Sequence, residues 1–448
     1  MASMTDLSGM DVTTDARLVP LWDRVIRGIL SHSAATGDDL NAVIAADGDF
    51  ALAQAIRGLS CLMLGRAEMT QTAHEAMARA RTAARRRPPT PREAGYVAAL
   101  ELWLSGRPSA AAARVQQILD DHPRDALAMK LVHAIHFIMG RPQAMRRSVE
   151  AVLPHWEDHP ARGYLLGCHA FTLEETGEYA AAEAAGKHGV DLAPDDAWGL
   201  HAVAHVHDST GRAREGLDWL TGRESSWAHC NNFRFHVWWH RALMYLDLGD
   251  FDAALDLYDR EVRSERTDDY RDISNAASLL SRLEIEGVDV GRRWDELADL
   301  SEKRSSDGSL AFADLHYLLS LIGGGRDEAA AGLVARMASA RASEGEAAAI
   351  LADPGQRIAA GLQAFGSGSY ARAWLNLRGA APELQRIGGS HAQRDVFTRL
   401  TIESALLGGY TDAAEQMLHE RRRLRGGFED GYTRRRLDLL NAARERAV

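Results

Sequence analysis

The sequence predicts an all-α fold, a solenoid of about ten helical hairpins stacked into a superhelix. Alanine is abundant while proline accounts for only 12 of 448 residues, and this composition favours helix because alanine has the highest helix propensity. A second observation is a glycine that recurs at regular intervals between segments whose apolar residues follow a helical spacing. A recurring interval of this kind is typical of helical-repeat proteins.

The repeat is clearest in TGEYAAAEAA, where Gly177 is followed by Tyr179 and Ala182. Gly211 lies one 34-residue period later, which is the length of a tetratricopeptide repeat. Glycine ends the first helix of a hairpin because it enters the left-handed conformation without a steric penalty, and alanine allows the two helices to cross closely. The glycines that mark the hairpins are Gly65, Gly106, Gly140, Gly177, Gly211, Gly249, Gly287, Gly325, Gly368 and Gly408.

The repeats cover most of the chain, and no linker rich in glycine, proline or serine separates them into domains. We therefore predict a single tetratricopeptide-like superhelical domain over residues 19–440. Residues 1–18 are expected to be disordered or poorly ordered, and residues 441–448 to form a C-terminal tail.

Composition limits the class of partner. The net charge of −11 argues against a general nucleic-acid binder, which needs a basic surface to displace counterions. Three widely spaced cysteines provide neither a disulfide framework nor a zinc-binding CxxC pair. The first residues lack the pattern of a secretory signal, and no apolar stretch is long enough to cross a bilayer. We expect a cytoplasmic protein that binds neither nucleic acid nor membrane.

Five histidines fall at positions of the repeat that face the concave side of such a superhelix. When each unit is numbered so that its glycine is position 15, His201 and His205 occupy positions 5 and 9. His236 and His240 occupy positions 2 and 6 of the next unit, and His316 occupies position 6 of a later one. Each pair has the i, i+4 spacing that puts both side chains on one helix face. The sequence therefore predicts a histidine-lined groove, unless these residues only pack and hydrogen-bond internally.

The metal-binding interpretation uses His201, His205, His236 and His240 as candidate ligands of a divalent ion, since two HxxxH pairs could supply four nitrogens. A divalent metal is the one cofactor that the pattern leaves open. The segment HAVAH lacks the glutamate of the HExxH zinc-protease motif, so no general base accompanies it. The sequence contains no GxSxG elbow and no nucleotide-binding glycine motif.

Several segments resemble the tetratricopeptide repeat protein 38 family. They are HAVAHV, HVWWHRAL, SRLEIEGVDVGRRW, FADLHYL and, most specifically, IGGSHAQRDVF near the end of the chain. The resemblance runs in order from about residue 20 to residue 440 and implies a cytosolic helical-repeat protein with no established activity. The polar residues that it carries over are His201, His205, His236, His240, Asp314, His316, Gln393, Arg394 and Asp395.

The chain also departs from that family's pattern. Asn275 stands where the family implies an aspartate, and His391 stands where it implies an asparagine. Phe235 and Val237 replace a cysteine and an asparagine beside His236. These changes weaken an interpretation that needs a fixed set of charged ligands, and they leave the histidine pairs intact.

Three classes of function follow from these patterns. The first is a binding protein that holds a small acidic molecule or a peptide in the groove; its predicted contacts are His201, His205, His236, His240, His316 and Arg394. The second is an enzyme whose superhelix encloses a metal or an acid–base site, with candidate catalytic residues His205, His240 and Asp314. The third is an assembly scaffold, for which the arginine-rich C-terminal helix is the one candidate surface. The sequence does not predict an oligomeric state.

Overall fold

The computed structural model describes residues 4–447, and these residues form an α-solenoid of helical hairpins, as the sequence predicts. Twenty-five α-helices and no β-strand occur in this range. Two isolated antiparallel β-bridges pair Thr5 with Asp11 and Ser33 with Cys230. None of the helices in the described range is both long and apolar enough to span a membrane.

The first six hairpins pair consecutive helices. Their bounds are α1 (Val19–Ser31) with α2 (Thr36–Ala46), α3 (Ala51–Met63) with α4 (Ala67–Arg86), α5 (Pro91–Leu104) with α6 (Pro108–Asp121), α7 (Ala126–Ile138) with α8 (Pro142–Val152), α9 (Arg162–Glu175) with α10 (Tyr179–Leu192), and α11 (Ala197–Ser209) with α12 (Ala213–Leu220).

A short helix, α13 (Ser225–Ala228), leads into the later hairpins. These are α14 (Phe233–Leu248) with α15 (Phe251–Leu257), α16 (Tyr270–Ile285) with α17 (Arg293–Arg304), α18 (Ala311–Gly323) with α19 (Asp327–Ser339), α21 (Gln356–Gly366) with α22 (Tyr370–Ala380), and α23 (His391–Leu407) with α24 (Thr411–Leu424). Helix α20 (Glu346–Ile350) precedes the tenth hairpin, and α25 (Gly431–Ala447) closes the array.

The structure has eleven hairpins where the sequence predicts about ten, because the first hairpin has no glycine in its turn. His32 ends α1 there in the left-handed conformation, with φ of 59°. Nine of the ten predicted turn glycines have the expected positive φ. The exception is Gly408, which remains right-handed while its neighbour Gly409 takes the left-handed position, so the predicted register of the last hairpin is one residue early.

Both chain ends differ from the prediction over the residues that the structure describes. Residues 4–18 fold back onto the first hairpins, where Asp6 is buried and ion-pairs with Arg92 at 3.1 Å. Residues 441–447 continue helix α25 and do not form a separate tail. Residues 1–3 and 448, which belong to the same two predicted segments, lie outside the described residues.

Successive turns of the superhelix touch each other. After about six hairpins the chain returns beneath its own start, so the turns of the early hairpins meet the loops and helix ends of the late ones. We call this line of contacts the seam. It pairs His32 with Asn231, Arg66 with Asp268, Glu68 with Arg304, Gly106 with Glu346, Tyr179 with Leu424 and Asp208 with Arg425.

The seam is tightest where two glycines allow backbones to meet. A Cβ atom on Gly140 would collide with the carbonyl oxygen of Gln385, and one on Gly388 would collide with that of Ile138. Both glycines also have positive φ, which larger residues rarely adopt. The contact joins two successive turns of the superhelix and narrows the opening of its concave side.

A buried ion-pair cluster holds the N-terminal segment in place. Arg92 donates to Asp125 at 2.6 Å, pairs with Asp6, and has only 4% of its surface exposed. We predict that Arg92→Met lowers the free energy of unfolding by about 3–5 kcal/mol, because it leaves two buried carboxylates without their cation. Urea denaturation of the full chain measures this loss.

The matched control is Arg81→Met, which removes the ion pair to Glu101 between two side chains that are more than half exposed. An exposed pair contributes roughly 0–1 kcal/mol. Equal losses in the Arg81 and Arg92 variants would contradict the role given to the buried cluster.

Candidate functional site

A cavity of about 190 Å³ lies on the concave side of the superhelix and is partly open to solvent. It is lined by the ends of α1 and α3, the first helices of hairpins 4 to 9 and the segment that leads into α23. Its wall is mainly aromatic and apolar. The aromatic side chains that line it are Phe137, Phe171, Trp198, Phe233, Tyr270 and Phe312. Ile387 and Gly389 close it beside the seam, so the space exists because the second superhelical turn rests on the first.

One cation in the cavity wall has no carboxylate in direct contact. Lys130, on α7, is only 5% exposed, and its Nζ atom lies 4.0 Å from the Cys168 sulfur and 5.0 Å from the centre of the Trp198 ring. No carboxylate oxygen of the described residues lies within 4 Å of this ammonium group. Its acidic neighbour beyond that distance is the buried Asp196, whose pKa burial raises to about 7 although the Lys130 charge lowers it. Buried charges are normally paired directly, so a lysine that faces a cavity without such a contact can accept an anion there.

The other basic groups beside Lys130 are either neutral or already paired. Burial, followed by the neighbouring Lys130 charge, lowers the pKa of His32 and of His133 well below 6.5, so both rings are neutral. Arg271 also lines the cavity, but Asp269 already binds it with two hydrogen bonds of 2.8 and 2.7 Å. Lys130 is therefore the charge available to a bound molecule.

The four histidines at predicted groove positions come together at one side of the cavity. One ring nitrogen from each of His201, His205, His236 and His240 lies within 4.8 Å of the others. His201, His205 and His236 line the cavity, whereas His240 lies behind them, with its Nε2 atom 3.2 Å from that of His236. The pairs converge because α11 and α14 are the first helices of adjacent hairpins.

Two of these rings have their tautomer set by a neighbour. His201 Nδ1 hydrogen-bonds to the carbonyl oxygen of Trp198, and His236 Nδ1 lies 2.9 Å from the side-chain oxygen of Asn275. With Nδ1 donating a proton, Nε2 of each ring carries the free lone pair. Burial lowers the pKa of His205 and of His236 to about 4, and it lowers the pKa of His201 and of His240 well below 6.5, so the cluster is uncharged at neutral pH.

A second cluster of charged groups adjoins the first. His391 lies between two carboxylates, with Nε2 2.9 Å from Glu174 and Nδ1 2.9 Å from Glu175. Although burial opposes its charge, the two carboxylates raise the pKa of His391 well above 6.5. Burial likewise opposes ionisation of Glu175, but charged His391 and Arg394 hold its pKa at about 2. His391 is thus an imidazolium held in an ion-pair network, with 33% of its side chain exposed.

The structure separates two predicted site residues, His316 and Asp314, from the cavity. His316 is fully buried, bonds the Phe312 carbonyl through Nδ1 at 2.7 Å and packs on Phe397. Asp314 faces α19 instead, where it ion-pairs with Arg336 at 2.7 Å. Its helix presents Phe312 to the cavity, so the predicted register of α18 assigns the wrong residues to the wall.

Arg394 and Asp395 are also bound within the protein. Arg394 donates to the carbonyl oxygens of Gly388 and Gly389 and pairs with Glu175 at 3.4 Å. Asp395 binds Arg421 and Arg399. Both residues therefore tie α23 to its neighbours, and the predicted contact of Arg394 with a ligand would require these bonds to break.

Sequence reasoning overlooks the two features that set the charge of the site. Lys130 stands at position 5 of its unit, the same position as His201, so the register used for the histidines identifies it as facing the concave side. Glu174 and Glu175 stand at positions 12 and 13 of the repeat unit that contains Gly177. Their contact with His391 joins residues more than 200 positions apart, and no local pattern predicts it.

No protein-family model matches the chain. Among solved structures, it is similar to the human IFIT1 dimer with m7Gppp-AAAA, with 14% identity, a TM-score of 0.40 and 96% of each chain covered. It is also similar to yeast Tom70, with 12% identity, a TM-score of 0.38, and 95% of this chain and 88% of that chain covered. At such low identity the likeness concerns the fold alone.

The His391 network makes a prediction for stability. His391→Leu leaves Glu174 and Glu175 buried side by side without the imidazolium, and we expect it to lower the free energy of unfolding by about 3–5 kcal/mol at neutral pH. Adding Glu175→Gln should recover part of the loss, because it removes one of the two repelling charges. Urea denaturation of the single and double variants measures both effects.

His188→Leu is the matched control, since His188 is an exposed histidine on α10. Surface substitutions of this kind usually change stability by roughly 0.5 kcal/mol or less. If His391→Leu lowered the free energy of unfolding as little as His188→Leu does, the stabilising role given to the His391 ion-pair network would be contradicted.

Proposed function

We propose that this helical-repeat protein binds a small anionic organic molecule in the cavity on its concave side, with Lys130 as the counter-charge. The single observation that carries the proposal is the buried Lys130 ammonium, which faces the cavity and has no carboxylate within 4 Å among the described residues. A bound carboxylate or phosphate would supply the missing partner.

The cavity's size supports a molecule with one ring. A cavity of about 150 Å³ lined by apolar side chains holds benzene in an engineered protein. The cavity here measures about 190 Å³, which leaves room for a ring and one acidic group. Phe171, Trp198 and Phe233 offer aromatic surface to such a ring.

A small molecule fits the site better than a peptide tail. Peptides occupy open grooves in which an extended backbone can lie. Here the seam contacts at Gly106 and at Gly140 bridge the two superhelical turns beside the cavity. Of the two ligand classes that the sequence leaves open, a cavity of about 190 Å³ suits the smaller one.

Polar groups on the wall would orient the bound molecule. His201 and His236 have Nδ1 committed to Trp198 and Asn275, so each directs an Nε2 lone pair elsewhere. Asn232 and Gln393 also line the cavity and offer amide groups. Few polar groups in an apolar wall are typical of small-molecule sites, where they fix orientation.

An enzyme remains the second candidate, and one observation favours it. His205 Nδ1 lies 3.5 Å from Glu174 Oε2, and both residues are buried, so a small side-chain shift would let this carboxylate orient the imidazole at the cavity wall. A histidine held in this way is a suitable general base. In this version Glu174 takes the role that the sequence assigns to Asp314, and His205 is the base.

We also propose membership of the tetratricopeptide repeat protein 38 family. The segment IGGSHAQRDVF, the most specific part of the resemblance, supports this proposal. Several of its residues make contacts that shape this fold. Gly388 makes the seam contact, while Ser390 and Gln393 form the capping box that begins α23. A crystal structure of an animal member with the same seam and cavity would support the assignment, and one with an open superhelix would contradict it.

Benzoate and benzamide test the proposed function, since they share a shape and differ in charge. We predict that benzoate raises the melting temperature of the wild-type protein more than benzamide does, because only benzoate pairs with Lys130. In Lys130→Met the difference between the two compounds should disappear. Differential scanning calorimetry measures both variants.

Lys130→Met also has an expected effect without any ligand. Removing an unpaired buried charge should raise the melting temperature of the empty protein, since methionine fills the same space without a desolvation cost. A lower melting temperature in the variant, or equal responses of the wild type to benzoate and benzamide, would contradict the role of Lys130.

A further inference from the structure

The four-histidine cluster has the dimensions of a metal site. Tetrahedral zinc with metal–nitrogen distances of about 2.0–2.1 Å holds its ligand nitrogens about 3.3–3.4 Å apart. The Nε2 atoms of His236 and His240 are already 3.2 Å apart, and the whole set lies within 4.8 Å. Adjustments of about 1 Å in the side chains would close the set around one ion.

The surroundings of the rings match those of metal ligands. A histidine that binds a metal usually donates its other ring N–H to a backbone carbonyl or side-chain oxygen. His201 does so to Trp198, and His236 has the Asn275 oxygen in the same place. Both rings are therefore oriented by atoms outside the cluster, with Nε2 left for a further partner.

Four buried polar atoms of His205, His240 and Glu174 have no hydrogen-bond partner in the described structure. They are both ring nitrogens of His205, the Nδ1 atom of His240 and the Oε2 atom of Glu174, and none of these residues is more than 1% exposed. Buried polar atoms are almost always satisfied, so these require an explanation. A metal bound to His205 through one nitrogen, with the other donating to Glu174 3.5 Å away, satisfies the three atoms of His205 and Glu174.

We propose that one divalent transition-metal ion of the zinc type binds here, through one ring nitrogen each of His201, His205, His236 and His240. Glu174 is the outer carboxylate that orients His205. Four nitrogen donors without a thiolate or a hard oxygen ligand suit zinc among the common ions. The rings are neutral at pH 7, so the ion does not have to displace protons to bind.

This site is independent of the anionic molecule proposed for the cavity. Lys130 lies on α7 and the four ligands lie on α11 and α14, so either site can fail without the other. A bound ion would nevertheless form part of the cavity wall, because three of its ligands line that wall. It would add positive charge to a space that already contains a lysine without a carboxylate in direct contact.

The test uses cobalt(II) as a spectroscopic probe and zinc(II) as a competitor on the chelator-treated full chain. We expect one equivalent of cobalt to bind with the intense visible absorption of tetrahedral coordination, and zinc to displace it. His236→Gln with His240→Gln should weaken cobalt binding by at least ~100-fold, since it removes two of four ligands.

Two further variants distinguish loss of the metal site from a general loss of structure. Glu174→Gln should weaken binding by about 10–100-fold while leaving all four ligands, as loss of an outer-shell acceptor does. His316→Gln is the matched control, a buried histidine that bonds a backbone carbonyl outside the cluster, and it should bind cobalt like the wild type. Circular dichroism checks that each variant keeps its helices.

The proposal is overturned if the wild type binds no cobalt in stoichiometric amount or shows only the weak absorption of octahedral coordination. It is also overturned if the double variant keeps its helices and binds cobalt as tightly as the His316→Gln control. A failed cobalt titration would leave the benzoate response of Lys130 unaffected, so the two proposals are tested separately.

Discussion

The seam between successive superhelical turns is the contact on which the rest of the structure depends. A solenoid of hairpins is stabilised by contacts between neighbours, and nothing in that arrangement alone closes its concave side. Here the hairpin turns at Gly106 and Gly140 reach loops near the end of the chain, with backbone atoms in direct contact at Gly140 and Gly388. The concave groove is therefore narrowed to a cavity.

Closure explains the unusual electrostatics of the interior. The groove positions of an open superhelix are wetted by solvent, and histidines there would titrate near their ordinary pKa. Packed into this wall, His201 and His236 stay neutral, while Lys130 has no carboxylate within 4 Å among the described residues. His391 avoids this penalty because two carboxylates surround it. The cavity is thus positive and rich in neutral imidazole.

Much of the fold and part of the site could be predicted from the sequence. The glycine period identifies the hairpins, since a left-handed turn residue is a local requirement, and it fails where His32 takes the glycine's place. The i, i+4 spacing correctly puts His201 and His205 on one face of α11, and both line the cavity.

The other features of the site depend on how successive turns of the superhelix meet, and no local sequence pattern specifies those contacts. The placement of Arg394 illustrates this, because its groove-like register is overridden by Glu175, which lies 219 positions away along the chain. The carbonyl oxygens of Gly388 and Gly389, just before α23, hold the same guanidinium group. Asp314 is misassigned for a related reason, since its helix turns a different face inward. The pairing of His391 with Glu174 also spans the chain and follows only from the packing of α23 against α9 and α11.

The central claim is that a small anion occupies the interior beside Lys130. It is tested most directly by a crystal structure with para-bromobenzoate and bromine anomalous diffraction. The account predicts a bromine peak inside the cavity among Phe171, Trp198 and Phe233, with the carboxylate within hydrogen-bond distance of Lys130 Nζ. Bromine peaks confined to the outer surface, with the Lys130 ammonium still unpaired, would contradict it.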